Sequence, residues 1–230
     1  MNREPSSLES LLERGGVESS TLRARLAEYG RLVLGANRRF NLTGAKSEEE
    51  LAEHLLDSLT VVPYVRAPYV DLGSGAGLPA IPVALATGLE VTLIEATLKK
   101  ARFLESLLER LGLGGRVLAE RAESAAHRCE LRERFATGTA RALAAAPTVA
   151  ELLVPYLAVG GLAVLQRGTL EPGERTALQD ALLMLGAAIE DERLLAERRR
   201  IVLLRKQAPT PARFPRRPGI PAKRPLCLEP

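Results

Sequence analysis

Three glycines and two acids hold the most informative chemistry of this chain. Val70-Asp71-Leu72-Gly73-Ser74-Gly75-Ala76-Gly77 ends an apolar run at an acid and threads glycines into a helix start, with Pro79 where the first helical turn tolerates a missing N–H. Tyr69, Val70 and Leu72 read as a buried strand, and a turn without Cβ atoms lets a ligand lie against bare backbone. Beyond the following helical stretch, the run 89–94 ends at Glu95, and an acid closing a second strand is placed to accept hydrogen bonds from ribose hydroxyls. Strand, glycine loop, helix, strand and acid together make a nucleoside-binding βαβ unit. Gly75-x-Gly77-x-x-Ala80 also satisfies the relaxed dinucleotide fingerprint, so the choice of nucleoside rests on Asp71. A carboxylate at the strand tip accepts hydrogen bonds from a cationic amino-acid moiety and would repel a pyrophosphate. S-adenosylmethionine, with its ammonium and sulfonium, fits better than NAD. The competing explanation is that Asp71 only caps the loop and the glycines only serve a tight turn.

Two kinds of sequence must position this loop. Before it, residues 1–66 read as a helical extension: Leu22, Leu26, Tyr29, Leu32 and Val33 make one apolar stripe, and Ser47-Glu48-Glu49-Glu50 opens a helix carrying Leu51, Leu55 and Leu59. His54 and Asp57 share a face of that helix. They read as a hydrogen-bonded surface pair or a packing contact, and metal binding is not indicated, because no third ligand is spaced for it. After the loop, residues 67–206 alternate strand-like and helix-like runs, the pattern of a parallel sheet covered on both faces. The expected fold is α/β, a Rossmann-like, class I methyltransferase type of sheet that is mostly parallel and closes with an antiparallel C-terminal hairpin, near 187–190 and 200–204 around a charged turn. Strand 116–119 leads to Arg121-Ala122-Glu123 at the third tip, where this topology places an adenine. The fourth tip carries Arg141, either a structural salt-bridge partner or a ligand or substrate contact. Lys99, Lys100 and Arg102, beside the crevice, are a solvated face or a nucleic-acid contact.

Composition narrows the class. The 230 residues are 46% apolar with a mean hydropathy of zero, which suits one α/β core with an appended element. The start, Met1-Asn2-Arg3-Glu4-Pro5, is polar where a secretory signal would be apolar, and the longest near-apolar run, 154–165, is too short to span a bilayer, so a cytoplasmic location without membrane contact is expected. Cys129 and Cys227 lack a CxxC companion, which indicates neither disulfides nor zinc. Net charge is +4 and unevenly distributed. Residues 207–230 hold Arg213, Arg216, Arg217, Lys223 and Arg224 against the single acid Glu229, among seven prolines. This stretch reads as a stiff basic arm that tracks phosphates rather than a disordered solubility tail, and its removal is expected to leave cofactor affinity intact while flattening the salt dependence of RNA binding.

Taken together, Asn41-Leu42-Thr43, His54-x-x-Asp57-Ser58-Leu59, the run from Asp71 to Pro79, Lys100-x-x-Phe103-Leu104, Arg121-Ala122-Glu123, Ala140-Arg141-Ala142 and the tail from Pro215 to Leu226 resemble the ribosomal RNA small-subunit methyltransferase G family, also called glucose-inhibited division protein B, from about residue 8 onward. The resemblance implies S-adenosylmethionine-dependent methylation of N7 of a guanine in the decoding region of 16S rRNA, with 16S rRNA or the 30S subunit as partner and a monomeric enzyme. It places Gly73 and Leu78 at the methionine end of the cofactor, Ala122 and Glu123 at the adenine, and Arg141 at the cofactor or the incoming base. The chain departs from the family pattern at Ala80, at Ala136 and at Gln166-Arg167-Gly168, the last two being expected near the substrate side.

The cofactor set is therefore Asp71, Gly73, Gly75, Leu78, Glu95, Ala122, Glu123 and Arg141, and the RNA set is Lys99, Lys100, Arg102, Arg213, Arg216, Arg217, Lys223 and Arg224. No general base and no metal are expected, since guanine N7 offers a lone pair without a proton to remove; Asn41 and Arg141 are candidates for positioning. Two other classes share parts of this pattern. A small-molecule methyltransferase would keep the loop without needing a basic arm, and an RNA-binding ribosome-assembly factor would keep the arm without turnover.

Overall fold

The computed structural model describes residues 7–196 and 199–227. Its strands are β1 (Tyr69–Leu72), β2 (Val91–Ile94), β3 (Gly115–Leu118), β4 (Phe135–Arg141), β5 (Leu157–Arg167), β6 (Ala187–Ala196) and β7 (Arg199–Lys206), which form one sheet in the order β3-β2-β1-β4-β5-β7-β6. The first five are parallel, and β7 runs antiparallel between β5 and β6. The strand order turns back at β1 and β4, and a crevice opens outside the carboxyl ends of strands at such a switch point. The terminal hairpin is longer than its apolar centre announced, because β6 carries two register shifts, after Ile189 and after Leu194, that break the period of two. The charged turn expected to join its strands falls on residues 197 and 198, outside the described residues.

Helices α1 (Leu8–Arg14), α2 (Ser20–Asn37) and α3 (Glu48–Leu59) each begin at a serine, Ser7, Ser19 or Ser47, whose Oγ accepts a backbone N–H three residues on, at 3.2–3.3 Å. With α4 (Ala80–Thr87) and α5 (Leu98–Arg110) they cover one face of the sheet. The other face is covered by α6 (Ala122–Ala125), α7 (Ala146–Leu153), α8 (Pro172–Leu185) and residues of the tail, which includes α9 (Ile220–Lys223). Strand alternation sorts the two cores: on β7, Ile201 and Leu203 face the first while Val202 and Leu204 face the second. The N-terminal extension is therefore not appended to a finished domain; Leu26, Val33, Leu51 and Leu55 pack in the same core as Ile81, Leu93 and Val164.

The tail departs from expectation. Instead of forming an extended arm, residues 207–227 lie on the second core, with Phe214, Pro221 and Leu226 buried. Arg132 holds it by donating to the carbonyls of Thr210 and Phe214, each at 2.8 Å, and His127 Nε2 donates to Pro215 O at 2.9 Å. Among the described residues no helix is long and apolar enough to cross a membrane.

Because extension and sheet share a core, Leu26→Ala is expected to destabilise the whole protein by about 2–5 kcal/mol, the usual cost of a buried leucine truncation. Urea unfolding followed by far-ultraviolet dichroism and by tyrosine fluorescence should shift as one transition; separate transitions for the two probes would show the extension to be an independent unit.

Candidate active site

The glycine loop leaves β1 at Gly73, whose φ of +64° lies in the left-handed region, and a Cβ there would fall 2.5 Å from Leu143 Cδ1. Gly75, at φ +53°, donates its N–H to Glu95 Oε2 at 3.0 Å, and Thr97 N–H donates to Glu95 Oε1 at 2.8 Å. The Glu95 carboxylate, almost wholly buried, thus ties the loop to the end of β2 and borders the crevice. Gly73, Glu95, Glu123, Leu143 and Pro221 line a first compartment of about 360 Å³. A second, of about 420 Å³, is lined by Thr43, His54, Gly75, Leu78 and Arg141. Both are bordered by Gly73, Lys100 and Ala142, so they form one trough across the carboxyl ends of β1, β2 and β4. Ala142 has φ +50°, an unfavourable value for a residue with a Cβ, at the point where the compartments meet. A third compartment continues past His54 and Arg141 to Asp57, Gln166, Arg167 and Arg200.

Asp71 does not sit at a strand tip. It lies within β1 on the face shared with Tyr69, fully buried and lining none of the three compartments. Thr139 Oγ1 donates to Asp71 Oδ1 at 2.5 Å, Ser74 Oγ donates to Asp71 O at 3.2 Å, and Asp71 Oδ2 has no partner among the described residues. Burial, opposed by the bonds from Thr139 and Ser74, pushes its carboxyl up to about 7. The strand's period of two aims the side chain behind the glycine loop and away from the trough.

Arg141 closes β4 and turns onto α3. Its NH1 donates to His54 O at 3.2 Å and to Ser58 Oγ at 3.4 Å, while NH2 meets His54 Nδ1 at 2.9 Å and Asp57 Oδ2 at 3.1 Å. The geometry gives Arg141 a salt bridge to Asp57, and Arg141 itself still borders the second and third compartments, Asp57 the third. His54 and Asp57 are thus joined through Arg141 rather than to each other. Burial and the adjacent Arg141 cation together hold the His54 imidazole below its usual value. Gln166, one of the departures from the family pattern, donates through Nε2 to Asp57 O at 2.6 Å. Ala136, the other, lies at the N-terminal end of β4, where its N–H donates to Pro68 O at the opposite edge of the sheet from the trough, and not near the substrate side.

The tail supplies what sequence reasoning missed. Pro221 and Ala222 wall the first compartment beside Ala122 and Glu123. Glu123, expected at an adenine, lines the first compartment and accepts Gly219 N–H at 2.9 Å and Arg121 NH2 at 3.1 Å through Oε1. Arg216, assigned to RNA, makes a bidentate pair with Glu151, Nε to Oε1 at 2.9 Å and NH2 to Oε2 at 2.6 Å, and Glu151 is fully buried. A signal was present: Glu151 is the single charge in the apolar run 142–166, and a buried acid needs a partner. Asn37 was also missed; Nδ2 donates to the carbonyls of Thr43 and Ala45, and Oδ1 accepts from Leu42 and Thr43 N–H, which folds the loop 42–45 over the second compartment. Asn41 itself is exposed and outside the lining. Of the other RNA candidates, Lys100 borders the trough, Lys99 lies 4.5 Å over the Phe40 ring, Arg213 lies 5.0 Å over the Phe214 ring, and Arg102, Arg217, Lys223 and Arg224 are exposed.

This donor set fits a nucleoside, whereas the carboxylate expected at its cationic arm, Asp71, is turned away from the trough. A backbone cradle that a Cβ would fill at Gly73 and a buried carboxylate at the expected ribose position lie along one trough. Among the described residues, no cluster of His, Cys, Asp and Glu is arranged to hold a metal ion. Residues 22–202 match the family model described as rRNA small subunit methyltransferase G. The chain is 41% identical over 230 aligned positions to the ribosomal RNA small subunit methyltransferase G of Rubrobacter xylanophilus, covering 94% of this chain and 88% of that one. In fold it is similar to a ribosomal protein L11 methylase from Lactobacillus delbrueckii subsp. bulgaricus, with a TM-score of 0.52 at 14% identity over 68% of this chain and 80% of that one. It is similar also to a mutant of MtNAS in complex with S-adenosylmethionine, with a TM-score of 0.53 at 15% identity over 87% and 78%.

Glu95→Ala is expected to weaken S-adenosylmethionine binding by about 1.5–3 kcal/mol, as for loss of a charged acceptor, when measured by calorimetry. An unchanged dissociation constant would remove Glu95 from the ribose site. Deletion of residues 209–230, which takes away the Pro221 wall and leaves Glu151 unpaired, should raise that constant at least about tenfold and lower the melting temperature. Full cofactor affinity in the shortened protein would restore the picture of a free arm.

Proposed function

The chain belongs to the rRNA small subunit methyltransferase G family, and we propose that it transfers a methyl group from S-adenosylmethionine to N7 of a guanine in the decoding region of 16S rRNA. The observation that carries the reading is the continuous trough, closed at its nucleoside end by Glu95, Leu143 and the tail and open at the other end to a basic edge. S-adenosylmethionine, when bound, supplies an activated methyl group on sulfur. The first compartment takes its adenosyl part and the stretch from Gly73 to Leu78 its methionine part, so the acceptor base enters the second compartment from the side of His54 and Arg141. The substrate partner is 16S rRNA or the 30S subunit, engaged through Lys99, Lys100, Arg102, Arg213, Arg217, Lys223 and Arg224, whose cations remain at the surface or the trough rim. The enzyme acts as a monomer in the cytoplasm, without membrane or metal.

The electrostatics of the second compartment suit an acceptor that gains charge. Guanine N7 offers an in-plane lone pair and has no proton to lose, so no general base is required. Positive charge develops on the purine, and an unpaired cation beside it would oppose transfer. Here Arg141 is neutralised by Asp57 at 3.1 Å, and His54 is held toward its neutral form. What the residues supply is orientation: α3 and β4 fix the far wall, and the Asn37-folded loop fixes the near one.

Mapping methylated nucleotides after incubating the protein, labelled cofactor and undermodified 30S subunits tests the reading; label in a metabolite panel but not in RNA would favour the small-molecule class instead. At saturating RNA and cofactor the single-turnover rate is expected to be flat between about pH 6.5 and 8.5, because no base is consumed. The His54 imidazole is held below its usual value by burial and Arg141, and Asp71, raised by burial, lies behind the loop and lines no part of the trough, so neither is expected to impose a limb on the rate. His54→Gln should leave the profile flat. Arg141→Ala, which leaves Asp57 without its cation, should lower kcat/KM by about a hundredfold or more. A rate that climbs tenfold per pH unit through the sixes and loses that slope in His54→Gln would make His54 a base.

A further inference from the structure

Resting on the methylation reading, we propose that His54 determines base specificity by donating its Nε2–H to O6 of the target guanine. The argument begins with Arg141. A guanidinium has only donors, so the 2.9 Å contact between Arg141 NH2 and His54 Nδ1 requires that Nδ1 accept. A neutral imidazole whose Nδ1 accepts carries its proton on Nε2. The tautomer is therefore set by the protein, and a residue that sequence alone leaves as a packing contact becomes a fixed hydrogen-bond donor.

Placement gives that donor an address. The backbone carbonyl and Nδ1 of His54 face Arg141, while the side chain borders both the second and third compartments, and Nε2 has no hydrogen-bond partner among the described residues. The second compartment is the one that the loop residues Gly75 and Leu78 also line, so a base presenting N7 toward the methionine end brings its Hoogsteen edge past the imidazole. That edge carries two acceptors in guanine, N7 and O6, whereas adenine offers a donor, the N6 amino group, in place of O6. A donor on the wall accepts guanine and rejects adenine.

Its charge state also suits the reaction. The ionisable groups facing His54 are Arg141 from β4, Asp57 and Glu53 from α3, and Arg199 from β7; burial and the Arg141 cation are the dominant influences, and they favour the neutral ring. A neutral donor can hold O6 without placing a second cation against a purine that becomes positive, which Lys or Arg at this position could not do.

The test compares 30S subunits carrying guanine or 2-aminopurine at the target position; 2-aminopurine keeps N7 and lacks O6. Wild type should methylate the 2-aminopurine substrate roughly tenfold or more slowly in kcat/KM, the usual effect of leaving a desolvated donor unpaired. His54→Phe, which has no donor, should be slower on guanine and lose less than about twofold further on 2-aminopurine, and His54→Gln, whose amide can both accept from Arg141 and donate, should keep most of the discrimination. Equal treatment of the two bases by wild type overturns the proposal without any variant. So does an equal penalty in wild type and His54→Phe, and so does a weakened RNA affinity with an unchanged base ratio, the mark of a phosphate contact. Absence of 7-methylguanine from wild type on the guanine substrate would overturn the methylation reading beneath it.

Discussion

The junction of Arg141 with α3 is the interaction on which the site depends. β4 delivers Arg141 to the carboxyl edge of the sheet, and α3 meets it with a carboxylate, a carbonyl, a hydroxyl and an imidazole nitrogen. Without that junction the extension and the sheet would still share apolar surface, but nothing would fix the far wall of the trough. Ala142, in the left-handed region at φ +50°, follows directly, and strain of that kind persists only where the surroundings over-determine it. Gln166 extends the same arrangement from β5 by binding the Asp57 carbonyl, so two strands converge on one short stretch of α3.

A second set of buried charges holds the other end. Glu151, on an otherwise apolar face of α7, is satisfied entirely by Arg216 of the tail, through its side chain and its N–H. Glu123 binds the tail at Gly219, and Lys206, also buried, binds Glu133, which in turn accepts Thr210 N–H. Glu151 and Glu123 would be costly to bury alone, and both are bound by the tail. The six prolines between 207 and 227 limit the entropy lost on ordering such a segment, and Arg132, His127 and Thr148 bind its free carbonyls. The tail is thus a wall of the nucleoside compartment whose exposed side still presents Arg213, Arg217, Lys223 and Arg224.

Both arrangements lead to one electrostatic outcome. The trough is bordered by cations, yet Arg141 is paired with Asp57 and the imidazole beside it is held below its usual value. Long-range attraction for phosphate and local neutrality at the acceptor are separated by only a few residues of α3, β4 and α5.

What the sequence determined by itself was everything expressed in local pattern. The glycine spacing at 73–77 with its flanking strand and helix, the acid at Glu95, the apolar stripe of α2, the cap at Ser47, and the alternation of strands and helices through 67–206 depend on near neighbours, and each formed where its residues indicated. Tertiary structure decided where side chains point and what long-range partners they find. Asp71 reads as a strand-tip ligand until the period of two in β1 turns it behind the loop; Arg216 reads as a free cation until Glu151, remote in sequence, is folded against it; His54 reads as a surface pair with Asp57 or a packing contact until Arg141 fixes its tautomer. The physical reason is common to all three. Periodicity and turn chemistry act between residues a few positions apart, whereas the burial and pairing of a charge are settled by segments that only the packed sheet brings together.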